Sequence, residues 1–216
     1  MAVSRKTIPR PVRTAGVPIY QLRIELQDLK PSIWRSVLVP GSIKLSKLHV
    51  VLLRTMGWMG GHLHEFIIGD AHYGEPDTDF PETPPVLRDD RNSLAKSLGA
   101  LKTFRYLYDF GDGWEHKVRV EKILPPDPAA RLPLCLAGAN ACPPEDVGGP
   151  PGYVDFIEAI SDPRHDEHEA MLEWCGRAFD PYAFGTSTPS TPISHRSGCD
   201  SRRPWTDAYQ HADLAR

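Results

Sequence analysis

The chain has 216 residues, enough for one ordinary domain plus flanking segments, and its 25 basic against 28 acidic residues leave a formal charge of −3. That balance argues against a protein devoted to coating nucleic acid, which carries a strong basic excess. No run approaches the ~18–20 consecutive apolar residues of a membrane span, and no signal-like apolar stretch follows the basic N-terminus, so the chain reads as cytoplasmic with no membrane partner. In such a reducing compartment Cys135, Cys142, Cys175 and Cys199 read as free thiols or ligands rather than disulfides.

Residues 1–18 carry Arg5, Lys6, Arg10 and Arg13 with no acid, and too little apolar surface to offset ordering entropy; they read as a disordered tail. Between Tyr20 and Gln27 the apolar Tyr20, Leu22, Ile24 and Leu26 alternate with polar residues, which marks a half-buried strand. A second strand over 33–39 completes a hairpin. Pro40-Gly41 breaks it, and Ser46 can cap a helix over 46–56 whose Leu48, Val51, Leu52 and Met56 keep three- and four-residue spacing up to Gly57. A strand follows over 62–68. The acidic, proline-bearing stretch 75–92 reads as loop, with a short helix over 93–98 after it.

Residues 104–109 and 114–123 form the clearest hairpin, turned by Gly111-Asp112-Gly113. A long proline-rich loop runs over 124–152, and helices are predicted at 153–160 and 166–178. From 185 to 216 the Ser/Thr/Pro/Arg-rich chain has no apolar period and reads as a second disordered tail. The domain thus spans 19–184. Without a regular strand–helix alternation a doubly wound sheet is disfavoured. The expected fold is a single α+β domain, with a mixed or mainly antiparallel sheet and a few helices packed on it.

Three polar clusters carry the candidate chemistry. His62 and His64, two apart on a predicted strand, should share one face about 7 Å apart, close enough to share a metal. Asp109, Asp112, Trp114 and His116 crowd the tip of the second hairpin, with Trp114 and His116 on one face. In the long loop, Glu145 and Asp146 sit between two prolines and two glycines, a stiffened carboxylate pair that backbone or ligand can approach closely. The predicted site is one polar cleft gathering His62, His64, Asp109, Asp112, Trp114, His116, Glu145 and Asp146. Its expected cofactor is a divalent metal such as zinc, held by ligands drawn from His62, His64, His116 and Glu145. The six-residue gap between Cys135 and Cys142 is not a zinc-finger spacing. Phosphate loops, a Gly-x-Ser-x-Gly elbow and a dinucleotide fingerprint are absent from the sequence.

Four segments together, Trp58-Met-Gly-Gly-His-Leu-His64-Glu-Phe, Tyr108-Asp-Phe-Gly-Asp-Gly-Trp-Glu-His116, Cys142-Pro-Pro-Glu-Asp-Val-Gly-Gly149 and Glu173-Trp-Cys-Gly-Arg-Ala-Phe-Asp-Pro181, resemble the plasmid pRiA4b ORF-3-like family, also labelled as passenger proteins of an insertion element. The resemblance implies an α+β fold and an association with mobile DNA, and it brings no catalytic residues with it. Three functions stay open: a binding or regulatory module acting beside another protein of a mobile element, a metal-assisted enzyme with a His/Asp/Glu site, and a DNA-binding protein.

Overall fold

A computed structural model describes residues 16–77, 79, 83–176 and 179–183. Twelve elements follow in the order β1 (Ile19–Leu26), β2 (Trp34–Pro40), α1 (Leu45–Met56), β3 (His64–Ile68), β4 (Ala71–Gly74), β5 (Val86–Arg88), α2 (Leu94–Leu98), β6 (Thr103–Tyr108), β7 (Trp114–Leu124), β8 (Leu134–Ala139), α3 (Gly149–Ser161) and α4 (His168–Trp174). All eight strands join one sheet in the order β5-β4-β3-β6-β7-β1-β2-β8. Every pairing is antiparallel except the short β4–β5 contact. The fold is therefore α+β, as the order of elements predicts.

Alternation sorts the sheet into two faces. Leu22, Ile24, Phe66, Tyr106, Tyr108, Trp114, His116 and Val118 point inward and are buried, and Leu45, Leu48, Val51 and Leu52 of α1 join them in one core. The three- and four-residue spacing of α1 explains why it lies on that face. On the other face Arg23–Glu25, Arg105–Glu115 and Arg119–Glu121 approach within 3.5–3.6 Å. An antiparallel sheet can leave one side in water in this way.

The differences from expectation have local causes. The helix α1 starts at Leu45 after Lys44, so Ser46 lies inside the first turn and does not cap it. Its far end stops at Gly57, whose N–H reaches Leu53 O at 2.9 Å. Strand β3 begins at His64 and not at 62. Gly60 and Gly61 take positive φ of 91° and 135°, which turns the chain before pairing can begin. Strands β5 and β8, at the sheet edges, fall in stretches that read as loop, and β4 in a stretch with no assigned element, because three-, six- and four-residue strands carry too little alternation to signal themselves. The third helix starts at Gly149 with Pro at its first turn, earlier than the predicted 153. The last helix is shorter than predicted, His168–Trp174. The predicted tails lie outside the described residues apart from 16–18, as do positions 177–178 of the predicted last helix. Cys142 and Cys175 are free thiols, whereas Cys135 is disulfide-bonded, a correction to the expectation for that residue.

Candidate functional site

Three of the sequence segments singled out above meet at one end of the sheet. The turn after α1 (58–63), the β6–β7 turn (109–113) and the loop before α3 (142–149) are held together by specific bonds. Trp58 Nε1 donates to Pro143 O at 2.9 Å. The Glu145 carboxylate accepts the N–H groups of Met59 (2.9 Å) and Gly60 (3.2 Å) and the hydroxyl of Tyr108 (2.9 Å). Burial first, then the Glu145 carboxylate, pushes the Tyr108 hydroxyl above its usual range, so it stays a donor. Gly148 N–H donates to Asp112 Oδ2 at 3.2 Å. A side chain on Gly149 would fall on the Asp112 carbonyl, so only glycine lets these two loops touch.

This scaffold brings His62, Asp109 and Asp146 together. His62 Nδ1 lies 3.5 Å from Asp109 Oδ2, and its Nε2 lies 3.2 Å from Asp146 Oδ1. One ligand-type atom from each residue falls within 4.8 Å of the others, the one such group of three among the described residues. Asp109 uses its second oxygen for the turn, accepting the N–H of Gly111 (3.0 Å) and Asp112 (3.3 Å). Both carboxylates sit on left-handed backbone, with φ of 56° at Asp109 and 62° at Asp146. Such backbone costs about 1–3 kcal/mol and persists where the surroundings impose it, often at functional sites. One imidazole and two carboxylates suit zinc or manganese. The 4.8 Å spread exceeds the ~3.3–3.6 Å edge of a tetrahedral zinc shell with 2.0–2.2 Å bonds. The Asp146 carboxylate is 72 % exposed, so closing on an ion would take a movement of this side chain.

The other expected ligands go elsewhere, so His62, His64, His116 and Glu145 do not form one metal set. Because His62 precedes β3, the two-residue alternation does not apply, and His64 turns to a different pair: its Nε2 meets Asp89 Oδ2 at 3.0 Å. His116 is a core residue. Its Nδ1 faces the carbonyls of Trp114 (3.1 Å) and Tyr106 (3.3 Å), its ring abuts Trp58, and burial pushes it down to about 4, so it is neutral. Trp114 is buried beside it on the same inward face. Glu145 is spent clamping the 58–61 turn and Asp112 on Gly148. The Cys142 thiol is pushed up to about 11 by burial, against the pull of Arg35, and packs 3.2 Å from Met56 Sδ; it stays a thiol and not a thiolate ligand.

A second polar array went unseen in the sequence. The His49 and His64 rings stack at 3.6 Å, 8° from parallel, and His49 Nδ1 lies 2.7 Å from the Tyr106 hydroxyl. Burial, then the neighbouring His64, pushes His49 down to about 3. These rings and Asp89 line a cavity of about 540 Å³, with Lys44, Lys47 and Arg88 also on its wall. His49 is one polar position on an apolar-patterned helix, and Asp89 lies in a stretch that reads as loop, so neither stands out before the chain is folded.

Residues 18–188 match the family described as Plasmid pRiA4b ORF-3-like protein. The chain belongs to this family. It is 44% identical over 159 residues to the uncharacterized protein y4hQ of Sinorhizobium fredii, covering 73% of this chain and 81% of that one. Its fold matches the crystal structure of a protein of unknown function, MM3350 from Methanosarcina mazei Go1, with a TM-score of 0.73 and 32% identity over 79% of this chain and 96% of the other. Among the described residues of this pRiA4b ORF-3-like domain, no helix is long and apolar enough to cross a membrane.

Proposed function

We propose that this pRiA4b ORF-3-like protein is a binding module built around a divalent cation held by His62, Asp109 and Asp146. The observation that carries the reading is the convergence of these three side chains from three separate loops, two of them on strained backbone. A binding role is favoured over metal-assisted catalysis because the triad lies open to water. Its His62 is 36 % exposed and its Asp146 72 % exposed, whereas electrostatic catalysis gains most where water is excluded. Direct nucleic-acid recognition ranks last. The wet face of the sheet interleaves Arg and Glu, so it offers no basic stripe to follow phosphates. The family's mobile-element label extends the reading to a protein partner from such an element, acting in the cytoplasm.

Thermal unfolding with added zinc or manganese tests the cation. Cation at a hundred times its dissociation constant stabilises the folded chain by about 2.7 kcal/mol. The expected result is a rise in Tm for the wild type that is lost in D146N and in H62A. An equal rise in all three proteins, or none in any, rejects the site.

A second reading concerns the cavity beside His49. A small polar ligand would meet there an imidazole oriented by Asp89 and a second, neutral imidazole oriented by Tyr106. A volume of about 540 Å³ lies within the usual ~300–1,000 Å³ of ligand pockets.

A further inference from the structure

The cavity beside His49 displays two ring nitrogens that the protein itself does not use. His64 is held through Nε2, 3.0 Å from Asp89 Oδ2. A carboxylate accepts, so the hydrogen of the neutral ring sits on Nε2 and Nδ1 is a bare acceptor. His49 is held through its other nitrogen, with Nδ1 2.7 Å from the Tyr106 hydroxyl. Tyr106 is fully buried, burial keeps its hydroxyl well above the usual range, and its hydrogen meets no other acceptor among the described residues. The hydroxyl therefore donates to His49 Nδ1, which leaves the His49 hydrogen on Nε2.

Both rings thus carry hydrogen on Nε2, yet they are anchored through opposite nitrogens. Neither His64 Nδ1 nor His49 Nε2 has a partner among the described residues. Buried polar side-chain atoms without a partner are limited there to Ser97 Oγ and His116 Nε2, so the two free nitrogens are open to water. Both residues line the same cavity, and their rings stack 3.6 Å apart and 8° from parallel. An acceptor and a donor therefore stand side by side on its wall.

The wall does not select an ion. Lys44, Lys47 and Arg88 are balanced by Glu75, Asp89 and Asp90. Arg88 holds Asp90 at 2.7 Å, Lys44 Nζ donates to the Arg91 carbonyl at 2.8 Å, and neither Lys47 nor Glu75 is without a partner. The first turn of α1 borders the cavity but is no anion seat. Its Leu45, Ser46 and Lys47 N–H groups already donate to the carbonyls of Asn92, Asp89 and Lys44. What stays unmatched is one neutral donor beside one neutral acceptor.

Resting on the cavity reading above, we infer that the ligand is a small molecule with a planar amide edge, a C=O beside an N–H, as carboxamides and pyrimidine bases present it. The carbonyl oxygen accepts from His49 Nε2–H, and the amide N–H donates to His64 Nδ1. A ligand lacking that N–H strips water from His64 Nδ1 and leaves it unpaired, which makes the edge selective.

Nuclear magnetic resonance on the full chain labelled with nitrogen-15 tests the inference, with chelator present and at about pH 8, where an ordinary imidazole is neutral. The imidazole spectra should show hydrogen on Nε2 of both His49 and His64. Benzamide and uracil should shift these signals and bind about tenfold more tightly than N,N-dimethylbenzamide and 1,3-dimethyluracil, the loss expected for one unmade hydrogen bond. A response to only one of the two supports the amide edge and tells carboxamide from base. In folded H64F, benzamide and its methylated form should bind alike, and discrimination retained there overturns the assignment of His64 as acceptor. Hydrogen on Nδ1 of either ring, equal binding of the methylated probes by the wild type, or benzoate bound more tightly than benzamide overturns the amide edge and leaves the cavity reading standing. No shift with any probe overturns the cavity reading and the amide edge together.

Discussion

The behaviour of single residues here follows from who their neighbours are. Glu145 is typical: its carboxylate receives three donors and so ties the loop before α3 to the turn after α1 and to Tyr108. Hydrogen bonds to a charged group each contribute about 1.5–3 kcal/mol, and leaving buried donors unmet adds to the loss. Replacing Glu145 by Ala should therefore lower the unfolding free energy by about 2–4 kcal/mol in urea titrations, with Gln recovering part of it. A loss below ~1 kcal/mol would mean that water replaces the carboxylate at little cost.

His116 makes a prediction in pH. Burial holds it at about 4, although the carbonyls of Tyr106 and Trp114 favour the proton, and burial holds His49 at about 3. In the unfolded chain both return to their ordinary value of 6.5. The folded-state values are depressed, so the unfolded state binds more protons as pH falls below 6.5. These two groups thus leave stability whole above about 6.5 and remove it as pH drops, towards 4 for His116 and towards 3 for His49, at up to about 1.4 kcal/mol per pH unit for each. The urea midpoint should fall over that window, and H116F, which also removes a buried Nε2 without a hydrogen-bond partner, should flatten the fall. An unchanged slope in H116F would assign the effect to other groups.

Among the elements, the junction of loops is most sensitive where backbones touch. Gly149 opens α3 at φ 70°, and a methyl group there would collide with the Asp112 carbonyl. Gly113, in the facing turn, has the same φ of 70° but nothing within 4 Å of where a Cβ would stand. Gly113→Ala should cost only the left-handed backbone, about 1 kcal/mol. Gly149→Ala should cost clearly more and, by pushing the 142–149 loop away, weaken cation binding at Asp146. Equal costs for the two substitutions, measured by chemical denaturation, would show that the loops separate freely.

For the molecule as a whole, the described core closes within the domain: its buried members run from Tyr20 to Cys175, and Phe179 packs against them. In reducing buffer, which opens any disulfide in both proteins, a fragment spanning 17–185 should then unfold cooperatively and melt within a few degrees of the full chain. A deficit above ~2 kcal/mol would show that a terminal segment contributes to the core.

Much of this architecture could be read before folding. The alternation in β1, β6 and β7 and the three- and four-residue spacing in α1 are local consequences of which face meets the core, so periodicity alone located them and set the α+β class. The shared inward face of Trp114 and His116 follows from the same rule. What local pattern could not supply is which partner each polar side chain meets, because the partners are distant in sequence: Glu145 reaches Met59, Asp146 reaches His62, and His64 reaches Asp89. Two positive-φ glycines before β3 were enough to send His62 and His64 to different neighbours, although only Leu63 separates them. Local pattern was enough for β1, β2, β6, β7, most of β3, the main helix and the segments worth watching, since these depend on near neighbours and burial. Only the tertiary structure decided that His62, Asp109 and Asp146 stand together while His116 lies in the core, because the close packing of three loops sets those distances.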